Sequence, residues 1–144
     1  MGAAYYIVVN SDDPGFTTSI DGKALAKDSS EIDVIAKSLG FKLLSEYFSQ
    51  SPEDARLEIA GLLGIDDENN LPPEYEIAFQ NSPPEVWYEA EHGAGYAAKV
   101  AEHIRNEPDS VKNPEGVLYD LEAMASVMEE CIKNGLKWHL LVDY

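Results

Sequence analysis

Hydrophobic and polar positions divide the chain into short β-like runs at its two ends and helical patterns between them. Ala4–Asn10 is apolar on both parities (Tyr5, Ile7 and Val9; Tyr6 and Val8), which predicts a strand covered on both faces and central in its sheet. Asp13-Pro14-Gly15 supplies a turn, since Pro presets one central φ and Gly accepts a positive one. Phe16–Ile20 follows with β-branched content and predicts a strand returning antiparallel to the first, closed by Asp21-Gly22. Lys23–Ala26 fits a third strand or a helix start.

The middle of the chain turns helical. Ile32, Ile35, Ala36 and Leu39 share one face behind a Ser30/Asp33 capping pattern, and Gly40 stands where a helix ends. Leu43, Leu44, Tyr47 and Phe48 predict a short second helix. Ser51-Pro52-Glu53-Asp54 is a helix start, followed by Leu57, Ala60 and Leu63, or Ile59 and Leu62, up to Gly64. Asp66–Pro84 is loose and proline-interrupted, with one helical turn expected over Tyr75–Phe79. Val86–Tyr88 reads as a short strand. Ala94–Asn106 and Pro114–Asn134 read as amphipathic helices. The second has Leu118, Leu121, Ala125, Met128 and Ile132 inward, widened by Val117 and Met124, and Asp120 and Glu122 outward; Asn134-Gly135 closes it. Lys137–Tyr144 is a strand with Trp138, Leu140, Val142 and Tyr144 on one face and His139 on the other.

These elements predict a single α+β domain over 1–144. Its sheet is small and mostly antiparallel, with the first and last segments of the chain in it. Four or five helices pack mainly on one face. The 144 residues suit one core, and 44% hydrophobic residues exclude a disordered chain.

Charge narrows the partners. There are 27 acidic and 10 basic residues, a net charge of −17. Such a field opposes nucleic acid and anionic membranes, and it favours a basic protein or a cation. The one cysteine, Cys131, excludes an internal disulfide and points to a reducing cytoplasm. It sits near the apolar stripe of its helix, where a cysteine behaves as a small hydrophobe. No apolar run reaches membrane-spanning length, no secretory leader is apparent, and oligomeric state is open.

Two candidate sites follow. From Glu53 to Glu91 there are 11 acidic residues against one basic residue, Arg56. Aromatics stand among these acids, so the segment reads either as a solvated face or as a docking surface for a basic partner. The docking surface would use Glu74, Tyr75, Glu76, Phe79, Glu85, Trp87, Tyr88, Glu89 and Glu91. The alternative is a small metal-assisted enzyme or ligand-binding domain. There Asp12 and Asp13, with His139, would offer oxygen and imidazole ligands to a divalent metal. Asp12 and Asp13 equally suit an ordinary turn, and the chain holds no zinc or calcium spacing motif. Glu89, Glu91, His92 and Asp143 could add ligands only through space. Gly93-Ala94-Gly95 before a helix is a weak anion signal, opposed by Glu89 and Glu91. No nucleophile elbow is present. The first expectation is therefore a non-enzymatic cytoplasmic binding protein without a cofactor.

Overall fold

In a computed structural model of the chain, residues 3–50, 52–65, 72–75 and 85–143 are described. They fall into two compact units, Met1–Phe48 with Trp87–Tyr144, and Ser49–Val86.

The larger unit is α+β. Its strands are β1 (Ala4–Val9), β2 (Tyr88–Glu89) and β3 (Lys137–Asp143), in spatial order β1-β3-β2 and antiparallel throughout. The register pairs Tyr5 with Val142, Ile7 with Leu140 and Val9 with Trp138. Those six side chains share the face toward the core, since residues paired across two strands point the same way. The last segment, and not the first, is the middle strand. The expected strand at Phe16–Ile20 does not form. Its residues run irregularly, with Phe16 and Ile20 half-buried on the core and Ser19 N–H donating to Thr17 Oγ1 at 3.3 Å. Such local hydroxyl bonds compete with ladder pairing. On the outer edge of β1, Tyr5 N–H instead donates to the Gly22 carbonyl at 3.1 Å.

The helices of this unit are α1 (Lys23–Lys27), α2 (Ser29–Ser38), α4 (Ala90–Asn106) and α5 (Pro114–Asn134); α3 (Pro52–Leu63) lies in the other unit. Short 3-10 turns cover Leu44–Tyr47 and Pro108–Ser110. Lys23–Ala26 is therefore helical. The capping pattern read at Ser30 is not used. Helix α2 begins after Asp28, and Asp33 instead accepts the Leu44 N–H at 2.8 Å, fixing the chain beyond the helix. Helix α2 does end at Gly40: Phe41 N–H reaches Ala36 O at 2.9 Å, the paired-bond terminus that a left-handed residue permits.

Helix α5 keeps its expected bounds because its ends are chemically explicit. Asn113 Oδ1 accepts the Gly116 N–H at 3.2 Å, Pro114 occupies the first position, and Gly135 closes the last turn at φ 66°. Val117, Leu121, Met124, Met128 and Cys131 are buried as the periodicity requires, while Ile132 is exposed. Helix α4 packs along α5, and Gly93 makes the approach to β3 possible. A Cβ there would stand 2.6 Å from Met128 Sδ and 2.8 Å from the Trp138 indole. Gly93 thus lies inside a helix against a tryptophan and is not a phosphate turn.

Asp120 departs most from its expected place. It is 1% exposed, and its two carboxylate oxygens accept Gly22 N–H at 3.1 Å and Leu25 N–H at 3.2 Å. A residue of α5 thereby caps the first turn of α1, whose opening amides have no partner within the helix. A second buried carboxylate, Asp28, accepts Asn113 N–H at 2.8 Å through Oδ2 and so ties the α1–α2 junction to the start of α5.

In the smaller unit α3 buries Ala60 and leaves Leu57, Leu62 and Leu63 exposed. Ile65 N–H bonds Ala60 O at 2.9 Å, ending α3 at Gly64 as the sequence indicates. Val86 N–H donates to Ser49 Oγ at 2.6 Å, joining the two ends of the unit. Among the described residues, no helix is long and apolar enough to cross a membrane.

Gly22 has a φ of 70°, and a Cβ on it would fall 1.8 Å from the Tyr5 carbonyl oxygen. Gly15 has a similar φ of 80° with nothing within 4 Å. Gly15→Ala should therefore cost about 1 kcal/mol, the left-handed penalty alone. Gly22→Ala adds a clash with backbone and should cost on the order of 4 kcal/mol or prevent folding. Urea denaturation of both variants decides this, and equal losses would refute the close approach.

Burial pushes the Asp120 carboxyl above its ordinary value; the Leu25 and Gly22 amides oppose the shift and Asp21 adds to it. A raised folded-state pKa means that the contribution of Asp120 is fully present below the unfolded value and is lost as pH rises through the folded one. The stability advantage of the wild type over Asp120→Asn should thus widen between pH 7 and pH 3. An advantage that narrows on acidification contradicts this reading.

Candidate functional site

Among the described residues, the expected docking set comprises three exposed carboxylates, Glu74, Glu89 and Glu91, and four half-buried residues, Tyr75, Glu85, Trp87 and Tyr88. In the smaller unit Glu74 is exposed, and Tyr75 and Glu85 are half-buried. Glu76 and Phe79 lie outside the described residues. In the larger unit Glu89 and Glu91 are exposed, whereas Trp87 and Tyr88 are half-buried. Trp87 lies with its ring 4.3 Å from that of His139, a buried residue of the middle strand. Tyr88 sits in β2 beside Tyr47 at 5.1 Å and donates its hydroxyl to Glu46 O at 2.7 Å.

These contacts belong to an aromatic network that the sequence does not announce. Tyr47, fully buried, stacks on Trp138 at 5.2 Å and meets Tyr96 edge-on at 5.6 Å. Its hydroxyl and His92 Nε2 are 2.7 Å apart, and Phe41 meets the exposed imidazole edge-on at 5.5 Å. Trp138 Nε1 donates to Glu89 O at 2.9 Å, which anchors the short strand β2. Offset and edge-to-face pairs of this kind add about 0.5–1.5 kcal/mol each beyond the area they bury. The network is therefore a stiff floor. Three exposed carboxylates belong to residues on or beside it: Glu46 next to Tyr47, and Glu89 and Glu91 on either side of Ala90 at the start of α4. Glu89 Oε1 pairs with Lys137 Nζ at 3.2 Å on the surface.

The metal hypothesis meets a different geometry. Asp12 and Asp13 are exposed in the turn after β1, where Asp13 N–H bonds Ser11 Oγ at 3.3 Å. His139 is 1% exposed beneath Trp87. Among the described residues, no group of three or more His, Cys, Asp or Glu side chains is placed to hold a metal ion, so these three do not meet as one. Cys131 is buried, and burial pushes its thiol up, with Glu130 adding to the effect. That is the opposite of an activated nucleophile.

Sequence reasoning missed Tyr47 and Tyr96 as a pair. Their signal was slight, because Tyr47 looks like one aromatic of a short amphipathic run. Burial raises the Tyr47 phenol to about 12, the amide of Lys42 opposing and Tyr88 and Glu46 adding to the rise; burial also raises Tyr96 strongly. Comparison of the chain with protein-family models, with curated proteins and with solved structures finds no match.

The Tyr47 phenol stays protonated in the fold through the window in which a solvated phenol ionises, about pH 10 upward. Between about pH 10 and 12 the unfolded chain therefore releases a proton that the folded chain keeps, and stability falls as pH rises. Tyr47→Phe should lower stability at pH 7 by about 1 kcal/mol through the lost hydroxyl bond. It should also lessen the decline above pH 10, to which buried Tyr96 still contributes. Denaturant midpoints at pH 7, 10 and 11.5 test both, and an undiminished alkaline slope in the variant would show that Tyr47 is not its source.

Proposed function

We propose that this protein is a non-enzymatic cytoplasmic binding module that engages a basic protein partner through its acidic surface. The observation that carries the proposal is the placement of exposed Glu46, Glu89 and Glu91 on and beside a rigid aromatic floor in a chain of net charge −17. Carboxylates on a stiff scaffold lose little entropy when they meet a cation, and a net field of this size steers a basic surface toward them. Trp87 and Tyr88, half-buried beside the carboxylates, offer ring edges to the aliphatic stems of partner lysines and arginines. The pair Lys137–Glu89 is exposed on both sides, so a partner's cation can displace Lys137 at small cost.

A pull-down from the native host at low salt should recover a basic protein, and titration of that purified protein should weaken steeply with salt. Replacing Glu46, Glu89 and Glu91 together by Gln should weaken binding about tenfold at low salt and reduce its salt dependence. These residues are exposed, so the fold should be retained. Recovery of no basic partner, or equal affinity for the triple variant, would sink the proposal.

A further inference from the structure

Of the three histidines, His103 already pairs with Glu107 at 3.0 Å, and His139 is buried under Trp87. His92 differs from both. It is exposed in the first turn of α4, and among the described residues no carboxylate forms an ion pair with it. Its Nε2 lies 2.7 Å from the hydroxyl of Tyr47, a fully buried residue. The imidazole therefore links the aromatic floor to the surface that carries Glu46, Glu89 and Glu91.

The Tyr47 end of the pair decides where the protons sit. Burial raises the phenol to about 12, so it keeps its hydrogen, and the Lys42 amide donates to its oxygen. Among the described residues, the acceptor within reach of the hydroxyl hydrogen is His92 Nε2. An Nε2 with a hydrogen of its own would leave that buried hydroxyl hydrogen unpaired, which is costly. The neutral imidazole thus carries its hydrogen on Nδ1 and accepts at Nε2.

The surroundings set what a second proton does. Glu91 adjoins His92 in sequence, Glu89 precedes it by three residues, and Glu46 stands next to Tyr47. Two ammonium groups are already near: Lys137 on Glu89 at 3.2 Å, and Lys99 over the Phe41 ring at 6.0 Å. The phenols of Tyr88 and Tyr96 meet the Tyr47 ring, and Asp33 of α2 accepts the Leu44 N–H behind the turn. A proton on Nε2 adds a third cation to this surface and takes from the Tyr47 hydroxyl its acceptor.

We infer that His92 is a pH-responsive element of the acidic partner surface. The surface binds its basic partner while His92 is neutral; a proton gained on acidification sets a positive charge beside Glu46, Glu89 and Glu91 and weakens the hold on the partner. The inference rests on the partner reading above and adds its regulation. Imidazole is the side chain that ordinarily changes charge between pH 5 and 8, a range in which ordinary carboxylates stay ionised.

The test is an NMR titration of the full chain with a decalysine peptide at low salt, at pH 8 and at pH 5.5. At pH 8 the peptide should shift amides of residues 46–47 and 89–92. At pH 5.5 it should bind about threefold more weakly, the effect of one added surface charge. His92→Gln keeps an uncharged acceptor for the Tyr47 hydroxyl, so it should bind like the wild type at pH 8 and lose most of the pH dependence. His92→Lys should bind weakly at both pH values. His92 is exposed, so both variants keep the fold, which the unchanged remainder of the spectrum verifies. A pH dependence that survives in His92→Gln, or affinity of the wild type equal at the two pH values, overturns this inference and leaves the partner surface standing. Absence of peptide shifts in these segments at pH 8 overturns the partner surface and this inference with it. In the free protein at pH 8 the imidazole nitrogen shifts should place the hydrogen on Nδ1, and a hydrogen on Nε2 overturns the pairing with Tyr47.

Discussion

The carboxylate of Asp120 is the point on which the larger unit turns. It bonds two amides that lie 98 and 95 residues earlier in the chain. One of those amides belongs to Gly22, whose carbonyl accepts Tyr5 N–H at 3.1 Å and Ala26 N–H at 3.2 Å. A single junction therefore joins the edge strand, the first turn of α1 and the long helix α5. Helix α1, five residues long, lies far below the length at which a helix is stable alone. Its order comes from this junction and from Leu25, which is fully buried. A buried carboxylate costs several kcal/mol unless it is well bonded, so the arrangement holds only while both amides are in place. That requirement explains the glycine: no other residue lets the backbone pass so close to Tyr5 at a positive φ.

Where an element's ends and faces are set by local chemistry, the chain was legible. Asn113-Pro114 and Gly135 bound α5, Gly40 ends α2, and the alternation of Trp138, Leu140 and Val142 gives the face of β3. The legibility fails where a partner distant in sequence decides. Asp120 lies among polar neighbours on a helical wheel, and nothing local distinguishes a carboxylate facing water from one facing two amides. Apolar content on both parities read β1 as central. Yet the strand with both faces buried is β3, where His139 lies under Trp87 while Trp138 and Leu140 face the core. Phe16–Ile20 has the composition of a strand, but its hydroxyls and the carbonyl of Gly22 removed the need for one.

The acidic middle shows the same limit in its site. Acids mixed with aromatics suggested an outward mixture of both. Of the described residues there, Trp87 and Tyr88 are half-buried, because β2 is only two residues long and is held by Tyr88 and by the indole of Trp138. Aromatics recruited to hold that strand are not available as fully exposed anchors. What remains outward is charge, with ring edges beside it. An interface built this way gains its specificity and association rate from the field more than from apolar burial.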